Sequence, residues 1–64
     1  MDAKIYKCLV VDDEPIARKI IVNYIQNLPF LNLAEESISA LTAIDYLRTN
    51  QDVDIIFLDI NMPI

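Results

Sequence analysis

Two short apolar runs, each ending in aspartate, place the strongest constraint on the fold of this 64-residue chain. The run at residues 8–11 stops at Asp12 and Asp13, and the run at residues 55–58 stops at Asp59. Unbroken apolar runs of this length are typical of strands that are buried on both faces of a parallel sheet. We therefore predict a parallel sheet with acidic residues at the carboxyl ends of two of its strands.

A helical pattern follows the first run. Pro15 suits the first position of a helix, because its missing N–H needs no partner there. Apolar residues then recur at three- and four-residue spacings, which predicts an amphipathic helix of about three or four turns. They are Ala17, Ile20, Ile21, Tyr24, Ile25 and Leu28. Pro29 ends this helix, and Asn27 is expected to adopt the left-handed conformation that often terminates helices.

A more polar strand and a second helix come next. Residues 31–37 alternate in polarity and include Glu35 and Glu36, as expected of a strand at a sheet edge. Ser39 can cap the following helix, and Asn50 is expected to terminate it in the same way as Asn27. The apolar stripe of this helix is predicted to consist of Ala40, Ala43, Ile44 and Leu47.

The order of elements predicts an α/β fold. Strands separated by helices pair in parallel and are joined by right-handed crossovers. The first and third strands are the most apolar and the second is the most polar, so we expect the second strand at the edge, the first in the middle and the sheet order 2-1-3. In that order the two helices lie on opposite faces of the sheet.

Composition excludes several functions. The chain has no glycine, whereas about four or five would be average for its length, so it contains neither a P-loop nor a dinucleotide-binding fingerprint. Its net charge of -5 argues against direct nucleic-acid contact, and no apolar run reaches the ~18 residues of a membrane span. The single Cys8 and the absence of a signal-peptide pattern favour a cytoplasmic location.

The three aspartates define a candidate metal site. In open parallel sheets, ligands bind beyond the carboxyl ends of the strands where the winding reverses, which here lies between the first and third strands. Asp12, Asp13 and Asp59 should therefore converge, and their oxygens suit Mg²⁺ better than softer metals. A single aspartate after a strand is more often a turn former or a helix cap, and Asp13 near a helix start fits that alternative.

Two segments of the sequence resemble a known family. The sequence LVVDDEP at residues 9–15 and the sequence IIFLDINMP at residues 55–63 are similar to the receiver domain of two-component response regulators. The resemblance implies a flavodoxin-like fold, of which residues 1–64 would form the N-terminal portion with its first three strands and two helices. The sequence around Asp59 and at Pro29 and Phe30 most resembles that of regulators with a LytTR-type DNA-binding output domain. This resemblance implies a role in transcription regulation.

The resemblance also implies roles for individual residues. Asp59 would be the phosphoacceptor that takes a phosphoryl group from a sensor histidine kinase. Asp12 and Asp13 would bind Mg²⁺, and Asp59 and the main-chain carbonyl of Asn61 would complete the protein ligands. The implied protein is a signalling component and not an enzyme.

Two further strands of the receiver pattern, one ending in Thr or Ser and one in Lys, do not occur in this sequence. We therefore expect the 64-residue chain to be incompetent to switch, to be phosphorylated weakly or not at all, and to associate with itself through the edge of the third strand. One alternative is a receiver-like module that acts only by self-association. The other is a phosphatase of the haloacid-dehalogenase type, but that family needs an acid where this chain has Asn61.

Overall fold

The computed structural model describes residues 4–61. Five elements alternate along the chain: β1 (Tyr6–Val11), α1 (Pro15–Asn27), β2 (Leu31–Ser37), α2 (Ala40–Thr49) and β3 (Ile55–Leu58). The strands form one parallel sheet in the order β2-β1-β3. The predicted α/β architecture and sheet order are confirmed. Met62 and Pro63, which belong to the motif after Asp59, lie outside the described residues.

The central strand β1 supplies both halves of the hydrophobic core. Its side chains alternate between the two faces of the sheet, as the pleat of a strand requires. Cys8 and Val10 pack against α1, whereas Leu9 and Val11 pack on the side of α2. All four side chains are almost completely buried. The two helices therefore cover opposite faces of the sheet, as predicted.

The face of α1 that packs on the sheet differs from the predicted stripe. Val22 and Ile25 are buried, whereas Ile20 and Tyr24 are 50% and 66% exposed. Apolar residues occupy more than one face of this helix, and Ile16, at 73% exposure, extends the outer stripe by one turn. Spacing alone could not distinguish the two stripes, because the choice depends on which one fits the groove over β1 and β2.

The start of each helix agrees with the sequence prediction. Pro15 begins α1, and the Glu14 side chain caps it by accepting a hydrogen bond from the Ile16 N–H at 2.8 Å. Ser39 caps α2 in a capping box, in which its hydroxyl accepts from the Thr42 N–H at 3.1 Å. These side chains satisfy backbone donors that have no partner within the helix.

The predicted left-handed helix ends are wrong. No residue between 4 and 61 has a positive φ, and Leu28, which directly follows α1, has a φ of -107°. The two asparagines use their side chains instead. The Asn27 amide donates to the Asn23 carbonyl at 2.8 Å, and the Asn50 amide donates to the Tyr46 carbonyl at 2.9 Å. Each amide thus donates to a carbonyl near its helix end, and neither helix end uses the left-handed backbone that glycine adopts most readily.

The buried face of α2 differs from the predicted stripe by one side chain. Ala43 is buried and Leu47 packs beside it, but Ile44 is 57% exposed and Tyr46 takes part in the core in its place. The apolar face that packs on the sheet therefore includes Tyr46 instead of Ile44. Neither helix of the described residues is long and apolar enough to cross a membrane.

Candidate functional site

Three carboxylates meet at the carboxyl edge of the sheet. Asp12, Asp13 and Asp59 each offer an oxygen that lies within 4.8 Å of the other two. Asp12 is buried, Asp59 is half-buried and Asp13 is exposed. The structure therefore brings together the three aspartates that the sequence predicted to converge.

Strand pairing explains why residues so distant in the sequence become neighbours. Val11 at the end of β1 pairs with Leu58 at the end of β3, so Asp12 and Asp59 emerge side by side from parallel strands. The Asp59 N–H donates to the Val11 carbonyl at 3.0 Å, which extends the ladder into the site. On the other side, the Asp12 N–H donates to the Ser37 carbonyl of β2 at 3.0 Å.

The opposite end of β3 is also fixed. The Asp54 N–H donates to the Lys7 carbonyl at 2.8 Å, and the Asp54 carboxylate accepts from the Lys7 N–H at 2.9 Å. The Lys7 ammonium also pairs with Asp52, which lowers the pKa of the Asp52 carboxyl and raises that of Lys7. Both groups are exposed, so the pair adds little to stability. The register that delivers Asp59 to the site is thus held at both ends of the strand.

Asp12 and Asp59 form similar turns. The Oδ1 atom of Asp12 accepts from the Glu14 N–H at 2.9 Å, and the Oδ1 atom of Asp59 accepts from the Asn61 N–H at 3.0 Å. Such turns, in which a carboxylate bonds to the backbone two residues later, are a common local use of aspartate. Each carboxylate still has an Oδ2 atom that makes no hydrogen bond among residues 4–61. Turn formation and ligand binding are therefore compatible in the same side chain.

Asn61 lies in the turn that follows β3 and is exposed. Its N–H holds the Asp59 carboxylate, which keeps the two residues close. A role of its main-chain carbonyl as a metal ligand stays a prediction.

The chemistry of this donor set fits a small hard cation. All three side chains supply carboxylate oxygen, the ligand type that Mg²⁺ and Ca²⁺ prefer, and the chain has no histidine. Cys8 is buried within the core, and this burial raises the pKa of its thiol, so it is suited to packing and not to ligation. Beside the carboxylates lies a cleft with an apolar floor formed by β1, β3 and α1. Its lining includes Val10, Ile21, Phe57, Asp12 and Asp59.

Sequence reasoning missed one residue of the site. Arg18 on α1 donates from Nη1 to the Asp12 carbonyl at 2.9 Å and from Nε to Glu36 at 3.1 Å. A long side chain on a helix leans toward the helix N-terminus, which is the signal that could have placed Arg18 over the first turn. Its partner Glu36 could not be identified in the same way, because it lies on another element.

Comparison with known proteins identifies the family. The family described as "Response regulator receiver domain" matches residues 8–64. The chain therefore belongs to the response regulator receiver family, and the resemblance noted in the sequence is confirmed. The architecture matches part of the receiver fold.

Two curated relatives share this region. The chain is 37% identical over 60 residues to protein-glutamate methylesterase/protein-glutamine glutaminase 1 of Hahella chejuensis (strain KCTC 2396), covering 94% of this chain and 16% of that protein. It is 38% identical over 55 residues to the protein-glutamate methylesterase/protein-glutamine glutaminase of Treponema pallidum (strain Nichols), covering 86% of this chain and 13% of that protein. The chain thus spans less than a fifth of the length of these relatives.

A solved structure has the same fold. The crystal structure of the P1 domain of CheA3 in complex with CheY6 from R. sphaeroides contains a chain that matches with a TM-score of 0.89 and 33% identity. The match covers 95% of this chain and 47% of the solved one. The arrangement of the three strands and two helices is therefore shared with a protein of known structure.

Proposed function

We propose that this chain is the phosphoacceptor segment of a two-component response regulator. Asp59 accepts a phosphoryl group from a histidine kinase, and Asp12, Asp13, Asp59 and the main-chain carbonyl of Asn61 bind Mg²⁺. The observation that supports this most directly is the convergence of the three carboxylates from two adjacent strands. The match to the receiver family favours this function over the haloacid-dehalogenase type of phosphatase.

The reaction follows from the position of the acceptor carboxylate. An oxygen of Asp59 attacks the phosphorus of a phosphorylated histidine, the bond from phosphorus to the imidazole nitrogen breaks, and an acyl phosphate forms on Asp59. Both groups carry negative charge, so the reaction needs an electrostatic partner. Mg²⁺ held by Asp12, Asp13 and Asp59 would supply it by neutralising negative charge. The buried Asp12 and the hydrogen bond from Asn61 orient the carboxylates beforehand.

A kinase partner is supported by the solved relative, which is a complex with the P1 domain of CheA3. The exposed stripe of α1, formed by Ile16, Ile20 and Tyr24, begins in the first turn after Asp13. An apolar surface beside an acceptor site suits contact with a phosphodonor domain. We assign this stripe to kinase docking.

The test of the proposed function is phosphorylation by a small phosphodonor such as acetyl phosphate. With Mg²⁺ present, the chain should slowly gain one phosphoryl group, which intact-mass spectrometry detects, and Asp59→Asn should gain none. Labelling should be weak, because the Lys of the receiver pattern is not in this sequence. Asp45→Asn, an exposed change on α2, serves as the matched control.

Two outcomes would contradict the proposal. One is equal labelling of the chain and the Asp59→Asn variant, and the other is equal labelling with and without Mg²⁺. Labelling as fast as that of an intact receiver domain run in parallel would show that the Lys and the Thr or Ser are not needed.

Self-association is a second candidate function, favoured by the outer edge of β3. Among the described residues this edge pairs with no strand, and Ile56 and Leu58 are about half exposed. Unprotected apolar edges tend to pair with other chains. The other edge strand, β2, differs because it carries the charged residues Glu35 and Glu36.

Sedimentation of the chain at micromolar concentration should therefore show dimers or larger species, and Ile56→Lys should shift the distribution to monomer. A monomer with a cooperative thermal transition would rule out this function. Glu35→Lys places the same side chain on the β2 edge and should leave the distribution unchanged.

The remaining assignments are predictions that the comparisons do not decide. Residues 1–64 are proposed as the N-terminal portion of the receiver domain, coupled to an output domain. The LytTR-type DNA-binding output rests on the sequence resemblance, whereas the two relatives are named for methylesterase and glutaminase activities. The cytoplasmic location and the absence of direct nucleic-acid contact rest on the sequence composition.

A further inference from the structure

The guanidinium of Arg18 lies where three elements meet. It belongs to α1, it donates to the main-chain carbonyl of Asp12 at 2.9 Å, and it pairs with Glu36 of β2 at 3.1 Å. The Arg18 side chain is only 18% exposed. The planar guanidinium of an arginine can donate to two acceptors at once. Because both Nε and Nη1 of Arg18 are bonded, the side chain is held in one orientation.

The turn that Arg18 contacts carries two of the proposed metal ligands. Asp12 is held by its N–H to Ser37, by Oδ1 to the Glu14 N–H and by its carbonyl to Arg18. The first bond pairs Asp12 with β2 and the second holds its carboxylate, whereas the third holds the carbonyl oxygen of the peptide between Asp12 and Asp13. The orientation of that peptide sets the direction in which Asp13 leaves the strand.

A register shift explains why Glu36 is the partner. β1 and β2 pair regularly up to Cys8 and Leu33, and then Leu9 pairs with Glu35, so that Ala34 is skipped. Paired residues in a parallel sheet point to the same face. Glu36 therefore shares the α1 face with its partner Val10, whereas without the shift Glu35 would lie there.

We propose that Arg18 is a positioning residue for divalent-cation binding, held in place by Glu36. This inference rests on the proposed function of the three aspartates. Arg18 does not touch the cation. It orients the peptide after Asp12 so that the carboxylates of Asp12, Asp13 and Asp59 face a common point.

Simple electrostatics predicts the opposite result, which makes the proposal testable. Removing a positive charge near an acidic site should strengthen cation binding if charge alone mattered. Removing a positioning group should weaken it. Glu36 already neutralises Arg18, so we expect the positioning effect to exceed the charge effect.

The experiment compares Arg18→Met, Arg18→Lys and Lys19→Met in the full chain, with Mg²⁺ alone as the probe. NMR titration of the ¹⁵N-labelled protein gives the Kd for Mg²⁺. The loss of one net hydrogen bond predicts about fivefold weaker binding for Arg18→Met. Arg18→Lys, whose ammonium lacks the planar fork that reaches both acceptors but can still donate to one of them, should fall between this variant and the unchanged chain. Lys19→Met removes one charge from the exposed neighbour and should not weaken binding.

A second readout works without the cation. The Glu14 N–H bonds to Asp12 Oδ1, so its hydrogen-exchange rate reports the geometry of the turn. Arg18→Met should accelerate this exchange about fivefold, and Glu36→Gln should accelerate it less, because the bond to the Asp12 carbonyl remains.

The outcomes separate the two hypotheses. Equal Mg²⁺ affinity of Arg18→Met and Lys19→Met would overturn the positioning role of Arg18. A lower urea midpoint of Arg18→Met would not rescue it, because a purely structural role of Arg18 would also lower that midpoint. If the unchanged chain binds no Mg²⁺, the proposed function fails and so does the cation-positioning role. The Glu14 exchange rate then shows whether Arg18 still orders the turn.

Discussion

Replacing Asp12 with asparagine is expected to weaken Mg²⁺ binding by more than about a hundredfold. Loss of a residue that only supports a metal ligand weakens binding by about 10- to 100-fold, and loss of a charged ligand itself should weaken it more. Asp12 is the most buried of the three aspartates, and its position is fixed by hydrogen bonds at its N–H, carbonyl and carboxylate. Asparagine keeps an oxygen that can accept from the Glu14 N–H, so the turn should persist. The change therefore tests the charge of the ligand and not the fold.

The measurement is chemical unfolding with and without Mg²⁺. At a cation concentration a hundred times its Kd, the free energy of unfolding of the unchanged chain should rise by about 2.7 kcal/mol. Asp12→Asn should show almost none of this increase at the same concentration. Without cation, this variant should be at least as stable as the unchanged chain, because it removes one of three mutually repelling charges. An equal Mg²⁺ response in both proteins would show that the cation binds elsewhere.

Truncating Leu9 to alanine is expected to lower the free energy of unfolding by about 2–5 kcal/mol, the range found for buried leucines. Leu9 is fully buried at the centre of β1 and packs with Val11 and Ala43 beneath α2. A chain of this length has a total stability of only about 3–10 kcal/mol. The substitution should therefore remove a large share of the total stability.

Leu41→Ala is the matched control for this prediction. It makes the same chemical change on α2, where Leu41 is 75% exposed, and should alter stability by no more than about 0.5 kcal/mol. Urea unfolding followed by far-UV circular dichroism compares the two variants. Similar losses at both positions would mean that the α2 face of β1 is not the core described here.

The strands and the convergence of the aspartates could be predicted from sequence because both depend on local patterns. An uninterrupted apolar run such as residues 55–58 has few alternatives in a short α/β chain, and parallel pairing brings the carboxyl ends of strands to one edge. The residues that follow those runs, Asp12 and Asp59, are then neighbours whatever the detailed packing.

The buried face of α1 and the contacts of Arg18 could not be predicted in this way. The outer stripe containing Ile20 and the inner stripe containing Val22 are both apolar, so only the shape of the sheet distinguishes them. The Arg18–Glu36 pair depends on the register shift at Ala34, and no residue type in β2 indicates that the strand contains such a shift. The helix ends were mispredicted because an asparagine amide can satisfy a carbonyl without a left-handed backbone.

The turn at Asp59 makes two chemically identical atoms inequivalent. In a free carboxylate either oxygen can act as the nucleophile, but here Oδ1 is engaged by the Asn61 N–H. A phosphoryl group added to Oδ2 would leave that hydrogen bond intact, whereas addition to Oδ1 would break it. For the phosphotransfer proposed above, the fold thus favours attack by Oδ2, the oxygen that the turn leaves without a hydrogen bond.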